Sequence, residues 1–228
     1  MKRINNFLLS ILITATLSNC VSIKLTDDWE SKQFNETREK KILVVARATD
    51  MDVREAYEQE MVLKLKAKGI NAVAAYEVFP SLKEDENRSE EERNQIVKMF
   101  TDEGIHAVLL TALKNTTVQE PSQERLYNDS FSSTRIGEYG ISFMSYLDVN
   151  STSYLTRDLI PKNDYINDSG LSNELSSTTY VLEAILYDLT LEKEKQLVGV
   201  YHIEATDPKS ASQVLKGFVK IVSKQFNK

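Results

Sequence analysis

Three short apolar runs separated by two helix-like segments constrain the fold of this chain more than any other feature. The runs are residues 42–46 (ILVVA), 71–79 (NAVAAYEVF) and 106–113 (HAVLLTAL). A continuous apolar run of this length is typical of a strand that is covered on both faces, as in a parallel sheet. The order strand, helix, strand, helix, strand predicts two right-handed crossovers and a parallel core.

Both intervening segments carry helix start and stop signals. The first has Asp52 as its predicted N-cap and Gly69 as its left-handed stop. The second begins with Ser89 and Glu92 in the capping-box pattern S-x-x-E and ends at Gly104. We therefore predict one helix after each of the first two strands.

The C-terminal part of the sequence predicts an antiparallel addition to this sheet. Residues 179–190 and 196–206 are two strand candidates joined by a charged turn. Asp207 and Pro208 predict the start of a helix, because a capping residue followed by proline is a helix N-terminus signature. The predicted fold class is α/β: a three-layer single domain over residues 41–228, with a β-α-β-α-β parallel core, an added antiparallel C-terminal hairpin and a C-terminal amphipathic helix.

Residues 121–170 interrupt this regular pattern with a segment rich in Ser, Thr, Asn and Tyr. The segment is too long for a plain connection, and the alternating residues 141–149 within it predict one strand of a hairpin. Tyrosine offers amphipathic contact area at low entropic cost, so these side chains are candidate partner-binding residues. The alternative is that they cover an open face of the sheet. The candidates are Tyr127, Tyr139, Tyr146, Tyr154 and Tyr165.

The first twenty residues carry the features of an export signal. Lys2 and Arg3 form a positive start, and residues 7–17 (FLLSILITATL) form an apolar run too short to cross a bilayer core of about 30 Å. The run ends in LSNC, which resembles the lipobox of bacterial lipoproteins, whose cysteine receives the lipid. Cys20 is the only cysteine in the sequence, so it is a free thiol, part of an intermolecular bridge or covalently modified. Lipidation explains its position best, and an ordinary cleaved signal with an incidental cysteine is the alternative. We expect residues 1–19 to be a lipoprotein signal peptide and residues 20–40 to be a lipidated tether that docks at Trp29 and Phe34.

The layout of the mature chain resembles a family of uncharacterised bacterial lipoproteins. The shared features are the lipobox, a short tether with Trp29, an apolar first strand, Arg54 and Glu58 on the first helix, and a closing YDLT hairpin at residues 187–190. The domain that this family implies is similar to the TolB N-terminal domain, the curli-secretion lipoprotein and the activator lipoproteins of penicillin-binding proteins. Such modules dock on other envelope proteins, so the resemblance implies a binding role.

The same resemblance, together with the charge balance, indicates a location and a partner class. Residues 21 and 22 (VS) lack the aspartate that retains lipoproteins in the inner membrane of enteric bacteria. The expected location is the outer membrane, facing the periplasm, with cell-surface exposure as the alternative. With 28 Lys and Arg against 34 Asp and Glu, the net charge of -6 has the wrong sign for binding nucleic acid through its phosphates.

Patterns that carry catalysis or bind metal are few. The sequence holds no G-x-S-x-G, G-x-G-x-x-G, Walker or H-E-x-x-H motif. His106 and His202 would ligate zinc only if a carboxylate joined them, and a strand histidine is more often structural. Asp164 opens a sequence like a calcium loop, but Ile166 stands where an oxygen ligand is needed. We expect no catalytic residue, no metal and no cofactor.

The leading hypothesis is a non-enzymatic envelope lipoprotein that binds an envelope protein or glycan, with residues 121–170 as the contact surface. One alternative is a periplasmic hydrolase using carboxylates such as Glu183 and Asp188, although their spacing points them to opposite faces of an ideal strand. Another is a small-ligand carrier, which requires a large apolar pocket. Arg54 and Glu58 lie one helical turn apart and predict an exposed ion pair that contributes little.

Overall fold

A computed structural model describes residues 22–48, 50–82, 87–119, 142–147 and 177–227, and the structural statements below refer to these residues. The strands are β1 (Ser22–Glu30), β2 (Ile42–Ala46), β3 (Ala72–Ala74), β4 (Ala107–Gln119), β5 (Ser177–Asp188) and β6 (Leu197–Thr206). The helices are α1 (Phe34–Thr37), α2 (Met51–Lys66), α3 (Ala75–Val78), α4 (Glu90–Asp102), α5 (Phe143–Tyr146) and α6 (Ala211–Gln225). The strands form one mixed sheet in the order β1-β6-β5-β4-β2-β3. The predicted α/β fold class is confirmed.

The parallel core lies where the three apolar runs predict it. β2 is parallel to β3 on one side, where Ile42 lies opposite Ala72, and parallel to β4 on the other, where Ile42 lies opposite Ala107. No residue of β2 is more than 2% exposed, because its alternate side chains face two different helix layers. α2 and α6 cover one face of the sheet, and α4 covers the other. Right-handed crossovers in opposite directions, from β2 to β3 and from β3 back past β2 to β4, place the two crossover helices, α2 and α4, in this way.

The second predicted strand is shorter than residues 71–79. β3 ends at Ala74, and the next four residues form the single turn of α3. Ala75 and Phe79, four residues apart, are both buried in the layer that contains α4. The apolar residues of this run therefore form one helical turn as well as one strand.

The start of α2 differs from the prediction, whereas its end agrees. The N-cap is Asp50 rather than Asp52: its Oδ1 accepts hydrogen bonds from the N–H groups of Asp52 at 3.0 Å and Val53 at 3.4 Å. Two aspartates lie two residues apart here, and the extended backbone of Asp50 selects it as the cap. Gly69 has a left-handed φ of 82°, as expected for a helix stop.

The signals for the other two long helices have mixed outcomes. The capping box of α4 is confirmed, since Ser89 accepts from the N–H of Glu92 at 3.3 Å and donates its own N–H to the Glu92 carboxylate at 2.7 Å. The predicted cap of α6 at Asp207 is wrong. Ser210 is the N-cap and accepts from the N–H of Gln213 at 3.2 Å, while Asp207 lies in the preceding turn with a φ of 48°.

The predicted antiparallel hairpin is confirmed and extends the sheet. β5 pairs with both β4 and β6, and the turn between β5 and β6 contains a short 3-10 helix at Lys193–Lys195. β4 has 13 residues and β2 has 5, so the antiparallel strands continue well beyond the parallel core. The molecule thus has a parallel half with two flanking crossover helices and a longer antiparallel half.

The prediction of a tether over residues 20–40 is wrong for the described part of that range. β1 pairs antiparallel with β6 along its length, from Ser22 opposite Thr206 to Glu30 opposite Gly199. α1 follows, and its Phe34 is only 2% exposed, which agrees with the docking expected at this residue. β1 is an edge strand with one partly buried face. Because it carries charges of both signs, its composition alone does not predict a strand.

The strand predicted within residues 141–149 is also wrong for residues 142–147, where the chain forms the helical turn α5. Phe143 and Leu147 are buried, and the N–H of Phe143 donates to the Gln196 side chain at 3.1 Å. These two apolar residues lie four apart, which fits a helical turn as well as an alternating strand. The packing of Phe143 against Phe100 and Tyr187 selects the helix.

Candidate functional site

The carboxyl ends of β2 and β3 lie beside each other at one end of the parallel core. The chain leaves β2 toward the helix layer of α2, and leaves β3 toward the opposite layer of α4. The strand order reverses at β2, since β3 lies on one side of it and β4 on the other. In such sheets ligands bind outside the carboxyl ends of the strands where the order reverses, so the carboxyl end of β2 borders that position.

Glu58 on α2 reaches the ends of both β2 and β3. One carboxylate oxygen accepts from the N–H of Ala46, at the end of β2, at 3.0 Å, and the other accepts from the N–H of Tyr76, just after β3, at 2.7 Å. Arg54 donates its Nε–H to Glu58 at 2.9 Å and an Nη1–H to the carbonyl of Leu82 at 3.3 Å. The side chains of Arg54 and Glu58 are 5% and 0% exposed, so the predicted exposed ion pair is wrong.

The buried pair ties the helix to both strands. Burial raises the pKa of the Glu58 carboxyl, and the two backbone N–H groups and Arg54 offset part of that rise. Breaking such a pair by removing one partner typically costs about 3–5 kcal/mol, because the other charge stays buried. The carboxyl ends of β2 and β3 are thus joined by the protein's own side chains, which indicates a structural role for Arg54 and Glu58.

The two carboxylates of the hydrolase alternative lie on opposite faces of β5. Glu183 shares its face with Ile185 and Tyr187, whose cluster contains α4, whereas Asp188 follows Leu186, whose cluster contains α2 and α6. Both carboxylates are buried, at 0% and 1% exposure. The structure does not bring Glu183 and Asp188 together, so a two-carboxylate site has no geometric support from these residues.

Glu183 instead belongs to a cross-strand line of three side chains. His202 lies directly opposite Glu183 on β6, and its Nε2 is 2.5 Å from the Glu183 carboxylate. Asp27 lies opposite His202 on β1, with its carboxylate 3.8 Å from Nδ1. The line connects the three antiparallel strands β5, β6 and β1, and therefore ties the N-terminal strand to the sheet.

Asp188 closes the other end of β5. It accepts hydrogen bonds from Thr37 at 2.7 Å, from Lys40 at 2.6 Å and from both the N–H and the hydroxyl of Thr190. Burial by itself raises the pKa of Asp188, but the hydrogen bonds from Lys40, Thr37 and Thr190 outweigh it and hold the pKa below its usual value. This cluster fastens the segment after α1 to the β5–β6 turn.

The structure does not bring the two histidines into one site. The carbonyl of His106 accepts from the N–H of Leu189, whereas His202 lies opposite Glu183, six residues earlier on β5. Six residues of strand span about 20 Å. Among the described residues, no group of three or more His, Cys, Asp and Glu side chains has the arrangement of a metal site.

An open groove of about 690 Å³ lies between the chain after α3 and one face of α4. Its walls combine apolar side chains such as Phe79 and Ile96 with polar ones such as Asn87, Arg88 and Glu92. A carrier of small apolar ligands needs a mostly apolar, concave pocket. This mixed and open groove does not match that requirement.

The expected lipidation residue and most of the candidate binding residues lie outside the described part of the chain. These are Cys20, Tyr127, Tyr139, Tyr154 and Tyr165. Tyr146 lies in α5.

The described residues place both connections to the tyrosine-rich segment at one end of the sheet. Gln119 at the end of β4 lies opposite Ser177 at the start of β5. Two residues further along β5, Thr179 lies opposite Thr206, which in turn lies opposite Ser22. The segment between Gln119 and Ser177 therefore leaves and re-enters the sheet at the end where β1 begins. No sequence signal indicates this proximity, because it depends on the pairing of β1 with β6.

Comparisons with known proteins add little to this geometry. No protein-family model matches the sequence, and no curated protein matches it. Two solved structures with some similarity are dodecamers of PelC from Paraburkholderia phytofirmans, one of them a point variant. The variant is 12% identical and has a TM-score of 0.42, with 92% of this chain and 100% of that chain covered. The other is 10% identical with a TM-score of 0.40, covering 90% and 96% of the two chains. A likeness of this size carries no argument about function or assembly.

Proposed function

We propose that this chain is a non-enzymatic lipoprotein of the bacterial envelope, anchored in the outer membrane at Cys20, whose α/β domain binds an envelope protein or glycan. The observation that carries the proposal is the sequence of residues 1–20, in which a positive start and an apolar run lead into the lipobox-like LSNC. None of the described helices is long and apolar enough to cross a membrane. An acyl chain contributes about 0.8 kcal/mol of membrane affinity per buried CH₂, so several chains on one cysteine hold a domain at a bilayer.

The contacts of the buried charged side chains support a binding role over an enzymatic one. Glu58 joins the ends of β2 and β3, and Asp188 accepts hydrogen bonds that fasten the chain. Glu183 pairs with His202 on the neighbouring strand. These buried groups have structural roles, and the contact surface that we propose is the tyrosine-rich segment of residues 121–170.

The anchor is tested by growing cells that express the full chain with a labelled fatty acid. We expect label on the wild-type chain and none on Cys20→Ser. A wild-type chain that stays unlabelled would overturn the anchor, since lipidation is its only proposed attachment.

The contact surface is tested by crosslinking in native membranes followed by mass spectrometry. Deleting all of residues 121–170 would remove the buried Phe143, so the sharper variant replaces Tyr127, Tyr139, Tyr154 and Tyr165 with serine. We expect this variant to lose the crosslinked partners, whereas the control Tyr76→Ser, on α3, keeps them. Identical partners for all three chains would contradict the contact surface and leave the anchor unaffected.

A further inference from the structure

We infer that one end of the sheet lies against the polar headgroups of the bilayer and that the strands of its antiparallel half point away from the membrane. We call this surface the anchor end and define it by Ser22, Ser177, Thr206 at the end of β6 and residues 207–210, which form the turn between β6 and α6. The inference rests on the lipid at Cys20 proposed above, and it adds an orientation that lipidation alone does not specify.

The length of chain between the lipid and the fold carries the inference. β1 begins at Ser22, so only Val21 separates it from Cys20. Two Cα–Cα steps span at most about 7 Å. A tether of twenty residues would instead have allowed a separation of up to about 70 Å. The domain is therefore held at its membrane anchor by one point of its surface.

The start of β1 cannot lengthen this connection by peeling away without loss of buried contacts. Ile23 packs against α6 at Gly217, where a Cβ atom would lie 2.6 Å from Ile23 Cδ1. Lys24 forms an ion pair with Glu204 at 3.1 Å, and the strand stays paired with β6 down to Glu30, with one bulge between Leu25 and Asp27. Releasing the first residues of β1 would expose Ile23 and open its close packing on the helix.

The neighbours of Ser22 share its position at the membrane. Ser22 lies opposite Thr206, at a Cα distance of about 5 Å for directly opposed residues. Asp207 holds the adjacent strand end, accepting from Ser177 Oγ at 3.0 Å and from the N–H of Thr178 at 2.7 Å. The far end of β6, at Leu197, is about 30 Å away along the strand.

The chemistry of the anchor end fits headgroups rather than acyl chains. Its described residues are mainly serine, threonine, aspartate and lysine, and the large exposed apolar side chains Met51, Leu63 and Met99 lie on α2 and α4. Loss of residues 1–19 removes Lys2 and Arg3 and no acidic residue, which leaves a net charge of -8. Attraction to anionic lipid therefore does not orient the domain. The short connection to Cys20 orients it.

The test measures which end of the lipidated protein is close to the bilayer. Because the lipid occupies the thiol of Cys20, a single introduced cysteine is the only site for a thiol-reactive fluorophore. The matched variants are Lys209→Cys at the anchor end and Lys193→Cys in the β5–β6 turn at the far end, both at exposed lysines. Each full-length lipidated chain is reconstituted into phosphatidylcholine vesicles that contain a small fraction of lipid carrying a quencher on its headgroup.

We expect the fluorophore at position 209 to be quenched several-fold more strongly than the fluorophore at position 193. Equal quenching, or stronger quenching at position 193, on chains that are lipidated and bound would overturn the orientation. A third chain has twelve Gly and Ser residues inserted between Val21 and Ser22, which adds about 19 Å of flexible linker. We expect this insertion to reduce the difference between the two positions, and an unchanged difference would also overturn the inference.

The anchor is checked separately in the same preparation. Mass spectrometry of each chain reports the lipid, and flotation with the vesicles reports binding, before any fluorescence is measured. A chain without lipid contradicts the proposed function. A chain with lipid that shows no difference between the ends contradicts only the orientation.

Discussion

The parallel and antiparallel halves of the sheet both bury charged side chains, but the charges connect different things. In the parallel half, Arg54 and Glu58 join a helix to the two strands beside it. In the antiparallel half, Asp188 accepts from Thr37 and Lys40, and Glu183 is connected through His202 to Asp27 on β1. The buried charges of the parallel half thus act between neighbouring elements, whereas those of the antiparallel half fix the N-terminal residues that lead to the proposed lipid anchor.

The largest expected effect comes from breaking the buried pair in the parallel half. Glu58→Gln leaves the Arg54 charge buried without its carboxylate, and we expect a loss of about 3–5 kcal/mol in the free energy of unfolding. Urea denaturation in a Cys20→Ser background measures it. The double variant Arg54→Met with Glu58→Leu should recover part of the loss, since it removes both charges. A loss of unfolding free energy no larger than that expected for a surface ion pair would contradict the burial of Arg54 and Glu58.

The next effect tests whether β1 is docked on α6. In an exposed helix, glycine to alanine stabilises by about 1 kcal/mol. At Gly217 the added Cβ would lie 2.6 Å from Ile23 Cδ1 and 2.9 Å from its Cγ2, and overpacking of this kind costs about 1–3 kcal/mol. We expect Gly217→Ala to destabilise the chain, and to become stabilising when Ile23→Ala makes room. Stabilisation by Gly217→Ala alone would show that β1 does not pack there.

The pH dependence of stability sharpens the contrast in the antiparallel half. The pKa of Asp188 is lower in the folded chain than in the unfolded one, because hydrogen bonds from Lys40, Thr37 and Thr190 outweigh the effect of burial. Its stabilisation is therefore complete above the unfolded pKa of about 3.9 and is lost as the pH falls through the lower folded value. Urea denaturation between pH 7 and pH 2 should show a smaller acid loss for Asp188→Asn than for the parent chain. An equal acid loss of stability in Asp188→Asn and in the parent chain would refute this role of Asp188.

The smallest effect is expected at an exposed pair with the same spacing as Arg54 and Glu58. Lys98 and Asp102 lie 2.6 Å apart on α4, with side chains 71% and 62% exposed. We expect Asp102→Asn to change the free energy of unfolding by less than about 0.5 kcal/mol, since water screens exposed pairs. A change as large as that of Glu58→Gln would mean that burial is not what separates the two pairs.

Local sequence patterns predict the parts of this fold that depend on neighbouring residues. The first and third apolar runs, the capping box at Ser89 and the helix stop at Gly69 are each recognised from a few neighbouring residues, and the structure agrees with them. The second run agrees only over Ala72–Ala74, after which the chain forms a helical turn. Asp50 and Asp52 offer the same local pattern, so the choice between them depended on the backbone.

The burial of Glu58 and the formation of β1 depend on contacts with residues that are distant in the sequence. Glu58 is a charged residue on a helix, and nothing in its local sequence shows that the ends of β2 and β3 will surround it. β1 has the composition of a solvated segment, and only its pairing with β6 and its packing of Ile23 on α6 make it a strand. Long-range contacts decide both cases, and a single sequence does not display them.

The account as a whole is tested most directly by the mass of the N-terminal peptide of the mature protein, isolated from cell membranes. We predict that residues 1–19 are absent and that the chain begins at Cys20 with acyl chains attached. A mature protein recovered outside the membranes with an unmodified thiol at Cys20 would contradict the anchor, the proposed function and the orientation together.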